Sequence, residues 1–397
     1  MKKGTRIAAI LALSAGMLTI SACGARNGAA KLKVGLILLH PAASSTYDAN
    51  FRSAMETLQK KLRFTLVVKE NIPEDDLCAT TAKELAEDGC DIVMADSFGH
   101  EDYIIEAARA YPDVEFCHAT GTKAAATGLA NFHNAFSAIY EGRYLAGVAA
   151  GQKMAEDIAA NKYTADQALI GYVGAHPYAE VISGFTSFYL GARSVCPTAT
   201  MEVTFTNSWF DYTKEEAAAK KLISRGAKLV SQHADSYGAP KACETAKVPN
   251  VAYNGATDNE APETYLISSK IDWSVYYEYI INCVLKEEKI ATNFVGTVAD
   301  GSVKLTKYGK SVSDAAKTKV EDAKAKLANG TLHVFDTSKF TIGGVAPTEE
   351  SVKPGPYTYT DYPEGTEFLK DGYYHESEYR SAPSFDAWID GITNLDA

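Results

Sequence analysis

No GxSxG, Walker, HExxH or GxGxxG segment occurs in the 397 residues. The chain therefore lacks the short signatures of an activated serine, a phosphate-cradling loop, a zinc hydrolase and a dinucleotide site. Gly171-Tyr172-Val173-Gly174 and residues 147–153 only echo glycine loops. Their spacing would not bring successive N–H groups onto a phosphate. Positive charge is also scarce: 39 Lys and Arg stand against 50 Asp and Glu, a net charge of −11. That balance argues against a nucleic-acid partner, which needs a basic face, and suits a neutral or cationic small ligand. No CxxC occurs, no histidine pair has helical metal-ligand spacing, and beyond the first two dozen residues nothing is apolar enough to span a membrane.

What is present begins with a basic start (Lys2, Lys3, Arg6), a short apolar run and then Ile20-Ser21-Ala22-Cys23-Gly24. The short run ending in small residues fits a signal peptide over 1–22 better than a spanning helix. The ISAC-G tail resembles a bacterial lipobox, which implies that Cys23 is acylated and becomes the first mature residue. Such an anchor would hold the protein at the outer face of a membrane, with 23–30 as a linker. About 375 residues would remain, enough for two lobes of ordinary size. Six further cysteines (Cys78, Cys90, Cys117, Cys196, Cys243, Cys283) are widely spaced, so disulfides and buried thiols are both open. Cys78 and Cys90 flank one predicted helix, too far apart to pair with each other.

The organising stretch is 33–62. An apolar run is followed by a small-residue polar loop and then by Phe51, Met55, Leu58 and Leu62 at helical spacing. This reads as buried strand, loop and amphipathic helix, the first unit of a parallel α/β sheet. Three more strand ends follow within about ninety residues. A second series starts near Leu169, after a small-residue helix over 140–154 expected to pack closely on a sheet, and a capping box, Thr213-x-x-Glu216, is expected to open one of its helices. Two such series predict two lobes with a ligand cleft between them. The expected boundaries are 31–137 with 256–290 for the first lobe, and 138–255 with 291–345 for the second. The strand and helix over 265–285 should cross back to the first lobe. Residues 346–397 form a Tyr-, Pro- and Gly-rich extension, too aromatic for a disordered linker and expected to pack on a lobe.

In parallel sheets ligands collect beyond the carboxyl ends of the strands. Tyr47, Phe98, Tyr178, Trp209 and Phe210 fall in such loops, and flat rings there suit a flat ligand, stacked at about 1–3 kcal/mol per face. Asp48, Asp96, Asp235, Asn207, Asn254 and Asp258 supply polar edges, with Asp96 and Asp258 better read as helix caps and Asp235 as the leading polar candidate. His40, His100, His118, His176 and His233 also lie at strand ends. Three of them in one cleft could bind zinc, the alternative of a metal-binding transport lipoprotein. The preferred reading has no metal and no cofactor.

The blocks DSFGHEDYIIEAARAYPDVEFCHATG, YEGRYLAGVAAG, IGYVGAHPYAEVISGFTSFYLGAR and TNSWFDYTKEEAAAKKLISRGAKLVSQHADS, together with the lipobox, resemble the basic membrane protein (BMP) family of ABC-transporter substrate-binding lipoproteins. The likeness runs over about 31–309. It implies a type I periplasmic-binding-protein fold, two doubly wound parallel-sheet lobes with a three-segment hinge, and a purine nucleoside or nucleobase delivered to a permease. It puts Tyr47 on one face of the base and Phe185 or Trp209 on the other. It puts His118 where relatives carry a carboxylate, and Asn254-Gly255-Ala256-Thr257 where they clamp ribose. Those departures favour a free base. The expected protein is a monomeric, lipid-anchored, extracytoplasmic importer receptor and not an enzyme. Two rivals are a lipid-anchored surface sensor using the same cleft and a cleft hydrolase or transferase, which would require a nucleophile–base pair such as Ser97 with His118.

Overall fold

A computed structural model describes residues 32–355 and 362–397. The signal segment, Cys23 and the linker therefore lie outside the described residues. The first lobe is built on β1 (Lys33–Ile37), β2 (Thr65–Lys69), β3 (Ile92–Ala95), β4 (Glu115–Ala119) and β5 (Phe132–Ser137), with helices α1 (Thr46–Leu62), α2 (Asp76–Glu87), α3 (Glu101–Ala110) and the short α4 (Ala124–Thr127). Alternation along β1 explains its burial on both sides. Val34 and Leu36 meet Phe51, Met55 and Leu58 of α1, while Ile37 meets the core under α2 and α3. The Ser45 hydroxyl caps α1 by accepting from the Asp48 N–H at 3.2 Å, and Arg63, at φ 61°, ends it in the left-handed region.

Helix α5 (Ile139–Ala159) leads into the second lobe, with β6 (Leu169–Gly174), α6 (Ala179–Arg193), β7 (Thr200–Phe205), α7 (Tyr212–Ser224), β8 (Leu229–His233), α8 (Gly238–Ala246), β9 (Asn250–Tyr253) and β10 (Tyr265–Ile271). The small residues of α5 serve a helix–helix contact as well as the sheet. Gly147 and Gly151 lie directly against the α6 backbone at Phe188 and Ala192, which leaves no space for a Cβ. Helix α7 is capped by Asp211, whose carboxylate accepts from the Lys214 N–H at 3.0 Å, and not by Thr213.

The remaining elements move the expected boundaries. Strand β10 stays in the second sheet, parallel to β9, and only α9 (Trp273–Lys286) crosses back to pack on α1. The segment after it divides: β11 (Asn293–Gly296) pairs with β5 in the first sheet, while β12 (Val303–Leu305) pairs antiparallel with β10 in the second. The alternating pattern of 293–307 thus hides two strands in different lobes, because alternation reports strand character and not sheet membership. Three connections join the lobes: β5 to α5, β10 to α9, and β11 to β12. The first sheet runs β11-β5-β4-β3-β1-β2, all parallel.

Beyond α10 (Asp314–Ala328) and α11 (Glu349–Val352), the extension forms a small hairpin, β13 (Leu369–Lys370) with β14 (Tyr373–Tyr374), and ends in β15 (Ile392–Asn394). Strand β15 adds parallel to β7, so the second sheet runs β12-β10-β9-β8-β6-β7-β15. All six described cysteines are buried free thiols.

Candidate functional site

The carboxyl ends of the two sheets face each other across a cleft, and the residues gathered there form two adjoining chambers. The inner one is lined by Tyr47, Phe98, Trp209, Tyr253, Asp235 and Glu180, together with Leu39, His40, Ser97, Thr120 and His233. It has about 20 Å³ free, room for roughly one water molecule, so the slot is shut. The shut state is held by contacts between lobes. The Thr46 N–H donates to the Asp235 carbonyl at 3.2 Å, and the Asn50 amide donates to the Ile271 carbonyl at 2.6 Å. Phe98 meets Tyr178 with ring centroids 5.5 Å apart, and His40 meets Phe210 at 5.2 Å. A ring-sized solute can enter only when the lobes part.

The lining is braced from behind by hydrogen bonds to its side chains and loops. In the first lobe, the Tyr47 hydroxyl donates to the Asp96 carbonyl at 2.7 Å. The Asp96 carboxyl accepts from the Leu39 N–H at 3.2 Å, and Asp48 accepts from the His40 N–H at 2.8 Å. Glu74 holds the Phe98 loop by accepting from the Ser97 hydroxyl at 2.6 Å and the Gly99 N–H at 2.8 Å. Burial and the neighbouring Asp48 charge push the Asp96 carboxyl well above the usual range. Asp48 is held below it, despite its own burial, by hydrogen bonds from His40 and Ser45. The two neighbouring carboxyls are thus pushed in opposite directions, Asp96 toward the protonated form and Asp48 toward the ionised one. Thr120 sits at φ 63°, rare for a β-branched residue, where it lines both chambers.

In the second lobe, the Asp235 N–H donates to the Trp209 carbonyl at 3.0 Å, so the two candidate residues share one backbone link. Glu215 pins both loops, accepting from the Ser236 N–H at 3.2 Å and the Asp211 N–H at 3.1 Å. The Asn254 amide donates to Asp235 at 3.3 Å from a backbone at φ 63°. Burial, then the charges of Asp48, Glu215 and Glu180, raise the Asp235 carboxyl well above its usual range. His233 lies 3.4 Å from Glu180 and is pushed down by burial. Behind this wall the fully buried Arg143 donates to the Gln232 carbonyl at 2.8 Å and to the Tyr172 hydroxyl, and its guanidinium lies 4.7 Å from the Tyr253 ring centre. The inner lining thus carries two acids and no lysine or arginine. Such a surface offers carboxyl oxygens to ring N–H and amine groups and provides no cation to hold an anion.

The expected residues divide. Tyr47, Phe98, Trp209 and Asp235 line the inner chamber, and Tyr178 lines the outer one, stacked on His176 with centroids 4.9 Å apart. Phe185 lies in the second-lobe core instead, fully buried against Tyr172 and Trp388, because its side of α6 faces the sheet. Asp48, His118 and Asn254 stand one layer back. The His118 imidazole, lowered to about 4 by burial, donates from Nε2 to the Ser97 carbonyl at 2.7 Å. Because that contact is to backbone while the Ser97 hydroxyl is given to Glu74, no Ser97–His118 nucleophile pair forms. Among the described residues no cluster of three His, Cys, Asp or Glu could hold a metal. Glu180 and Tyr253 were missed by sequence reasoning. Tyr253 ends a strand, the position that singled out the other loops, whereas Glu180 sits inside a helix start and carries no comparable signal.

Comparisons place this geometry. Residues 31–338 match the family model described as ABC transporter substrate-binding protein, PnrA-like. A purine-binding protein of Brucella abortus is 33% identical over 318 residues, covering 79% of this chain and 85% of that one. A protein of Haloferax volcanii named as an ABC transporter glucose-binding protein is 33% identical over 258 residues, covering 65% and 62%. Among solved structures, an ABC transporter solute-binding protein of Conexibacter woesei superposes with a TM-score of 0.63 at 20% identity, covering 76% of this chain and 98% of that one. One from Aeropyrum pernix gives 0.65 at 14% identity, covering 83% and 95%. The fold is that of periplasmic-binding-type solute receptors, and the chain belongs to the Bmp family of PnrA-like ABC transporter substrate-binding proteins.

Proposed function

We propose that this receptor closes its lobes on a purine base or nucleoside and passes it to an ABC permease, while Cys23 carries a lipid that keeps it at the outer face of the membrane. The observation that carries the ligand class is the inner chamber: Tyr47, Phe98, Trp209 and Tyr253 converge on a slot whose acidic lining groups are Asp235 and Glu180, with no lysine or arginine beside them. Rings supply stacking that any flat heterocycle can use, and the acids supply acceptors that a purine's N–H and amine donors can fill. The Brucella relative's purine-binding name points the same way. A phosphorylated solute is disfavoured by the absence of a cation from the slot. The lipid anchor is supported by the ISAC-G sequence and by the lack of any described helix long and apolar enough to cross a membrane.

The test is a thermal-shift screen of adenine, guanine, hypoxanthine, their nucleosides and glucose, followed by calorimetry, since a ligand of the native state raises its melting temperature. A purine should give the largest shift, and Asp235→Ala should weaken its binding by about 1.5–3 kcal/mol. A response to glucose with none to purines would replace this reading with a sugar-binding one. For the anchor, Cys23→Ala should release the protein from membranes and abolish incorporation of labelled fatty acid.

A further inference from the structure

The outer chamber opens directly off the inner slot, sharing Phe98, Thr120 and Glu180 with it, and has a volume of about 360 Å³. Two of its walls come from the lobes, through Glu101, Asp102 and Lys123 on one side and Tyr178 and Ala179 on the other. Its third wall is Arg380, Ala382 and Pro383, from the extension beyond the family match, which ends at 338. This turn is built and held. The Arg380 guanidinium donates to the Ala382 carbonyl at 3.3 Å and the Pro383 carbonyl at 3.0 Å, and lies 4.9 Å from the Tyr362 ring centre.

The segment that bears the turn is fastened to the second lobe. The buried Glu376 carboxylate accepts from the Ser183 hydroxyl on α6 at 2.6 Å, and from the Ser384 and Phe385 N–H groups at 3.0 and 2.9 Å. Trp388 covers Phe185 and Phe205, and β15 extends the sheet. Toward the first lobe, one hydrogen bond reaches across among the described residues, from the Ser381 N–H to Asn293 at 3.4 Å. On hinge opening the turn should therefore travel with the second lobe, and on closing it should come down over the chamber.

We propose that the C-terminal extension lengthens the second lobe's jaw, so that its 380–383 turn contacts whatever part of a bound solute projects past Phe98 and Glu180. This rests on the solute-binding reading above. It makes the extension a selector for substituents on the flat ring and leaves ring recognition to the inner slot.

Ala382→Trp would fill much of the outer chamber while leaving the slot untouched. Adenine, guanine and hypoxanthine, and their 9-ribosyl counterparts, are titrated into the full chain and the variant. The expected result is a loss of affinity for the ribosyl probes of about tenfold or more, with the bases changed by less than about twofold. Hydrogen exchange on the wild-type protein keeps the test decisive should the variant fail to fold: the ribosyl probe, and not the base, should add protection across 378–386. Equal affinities in variant and wild type, equal protection by both probes, or wild-type binding of bases alone would overturn the jaw proposal and leave the solute-binding reading standing. If the wild type binds none of the six, that reading falls and the jaw proposal falls with it.

Discussion

The two walls of the slot are stiffened by different chemistry. In the first lobe the support beneath Tyr47, Phe98 and His40 is a set of acids, Asp48, Asp96 and Glu74, each accepting from loop N–H or hydroxyl groups. In the second lobe the central support is a cation. Arg143 lies among the rings of Tyr172, Phe188 and Tyr253 and holds the Gln232 carbonyl, and among the described residues no carboxylate forms an ion pair with it. Burial that raises one carboxyl of a close pair makes that group sensitive to pH, whereas a guanidinium does not titrate at all. The difference implies that pH reaches the slot through the first-lobe wall and the second-lobe rim, and that the second-lobe centre is fixed.

The sharpest way to break the comparison is to remove the cation. Arg143→Met keeps much of the packing but leaves the buried Gln232 carbonyl without its donor, and it should cost about 3 kcal/mol in urea unfolding. Lysine should not rescue it, because a compact ammonium cannot lie flat across three rings. If Asp48→Asn costs as much, the claimed asymmetry is lost. A smaller effect is expected at the rim. Glu215→Ala strips the acceptor from the Ser236 and Asp211 N–H groups, should cost about 1–2 kcal/mol, and should loosen the Trp209 loop. Trp209 emission, with Trp273 and Trp388 replaced by Phe, should then become more quenchable by acrylamide.

Strand ends were the legible part of the site, because an apolar run followed by a polar loop fixes where a parallel sheet presents its loops. Tyr47, Phe98, Trp209 and Asp235 follow from that rule. Phe185 did not, since helical position alone does not say which side of α6 faces the sheet. The supports were equally hidden. Arg143 sits in a small-residue helix whose partner rings come from β6, α6 and β9, and only the folded chain brings them together. The crossovers were misplaced for a related reason: β10 and β11 have ordinary strand patterns, and which sheet each joins depends on register with distant strands. The extension's role as a wall left no trace in its composition.

The smallest effect tests the titrating side of the comparison. Asp96 has a raised carboxyl in the folded state, so the folded protein keeps that proton to a higher pH than the unfolded chain, whose ordinary Asp value is about 3.9. Its contribution is complete at low pH and fades as pH rises toward the folded value. Asp48 works oppositely, its hydrogen bonds stabilising the fold above about pH 4 and failing below it. Glu215, raised to about 7 by burial, has the same sign as Asp96, so the pH profile of the wild type alone would not separate them. Asp96→Asn isolates the pair, because the amide can still accept from the Leu39 N–H and is neutral at every pH. Wild type and variant should melt together at about pH 3.5, below the unfolded Asp value, and the variant should gain on the wild type progressively above about pH 4, where the wild-type group is under growing pressure to ionise beside Asp48. A variant that melts lower at the alkaline end would mean that Asp96 carries a charge in the native protein, and the first-lobe wall would then have to be described as two carboxylates held apart by His40 and the loop N–H groups.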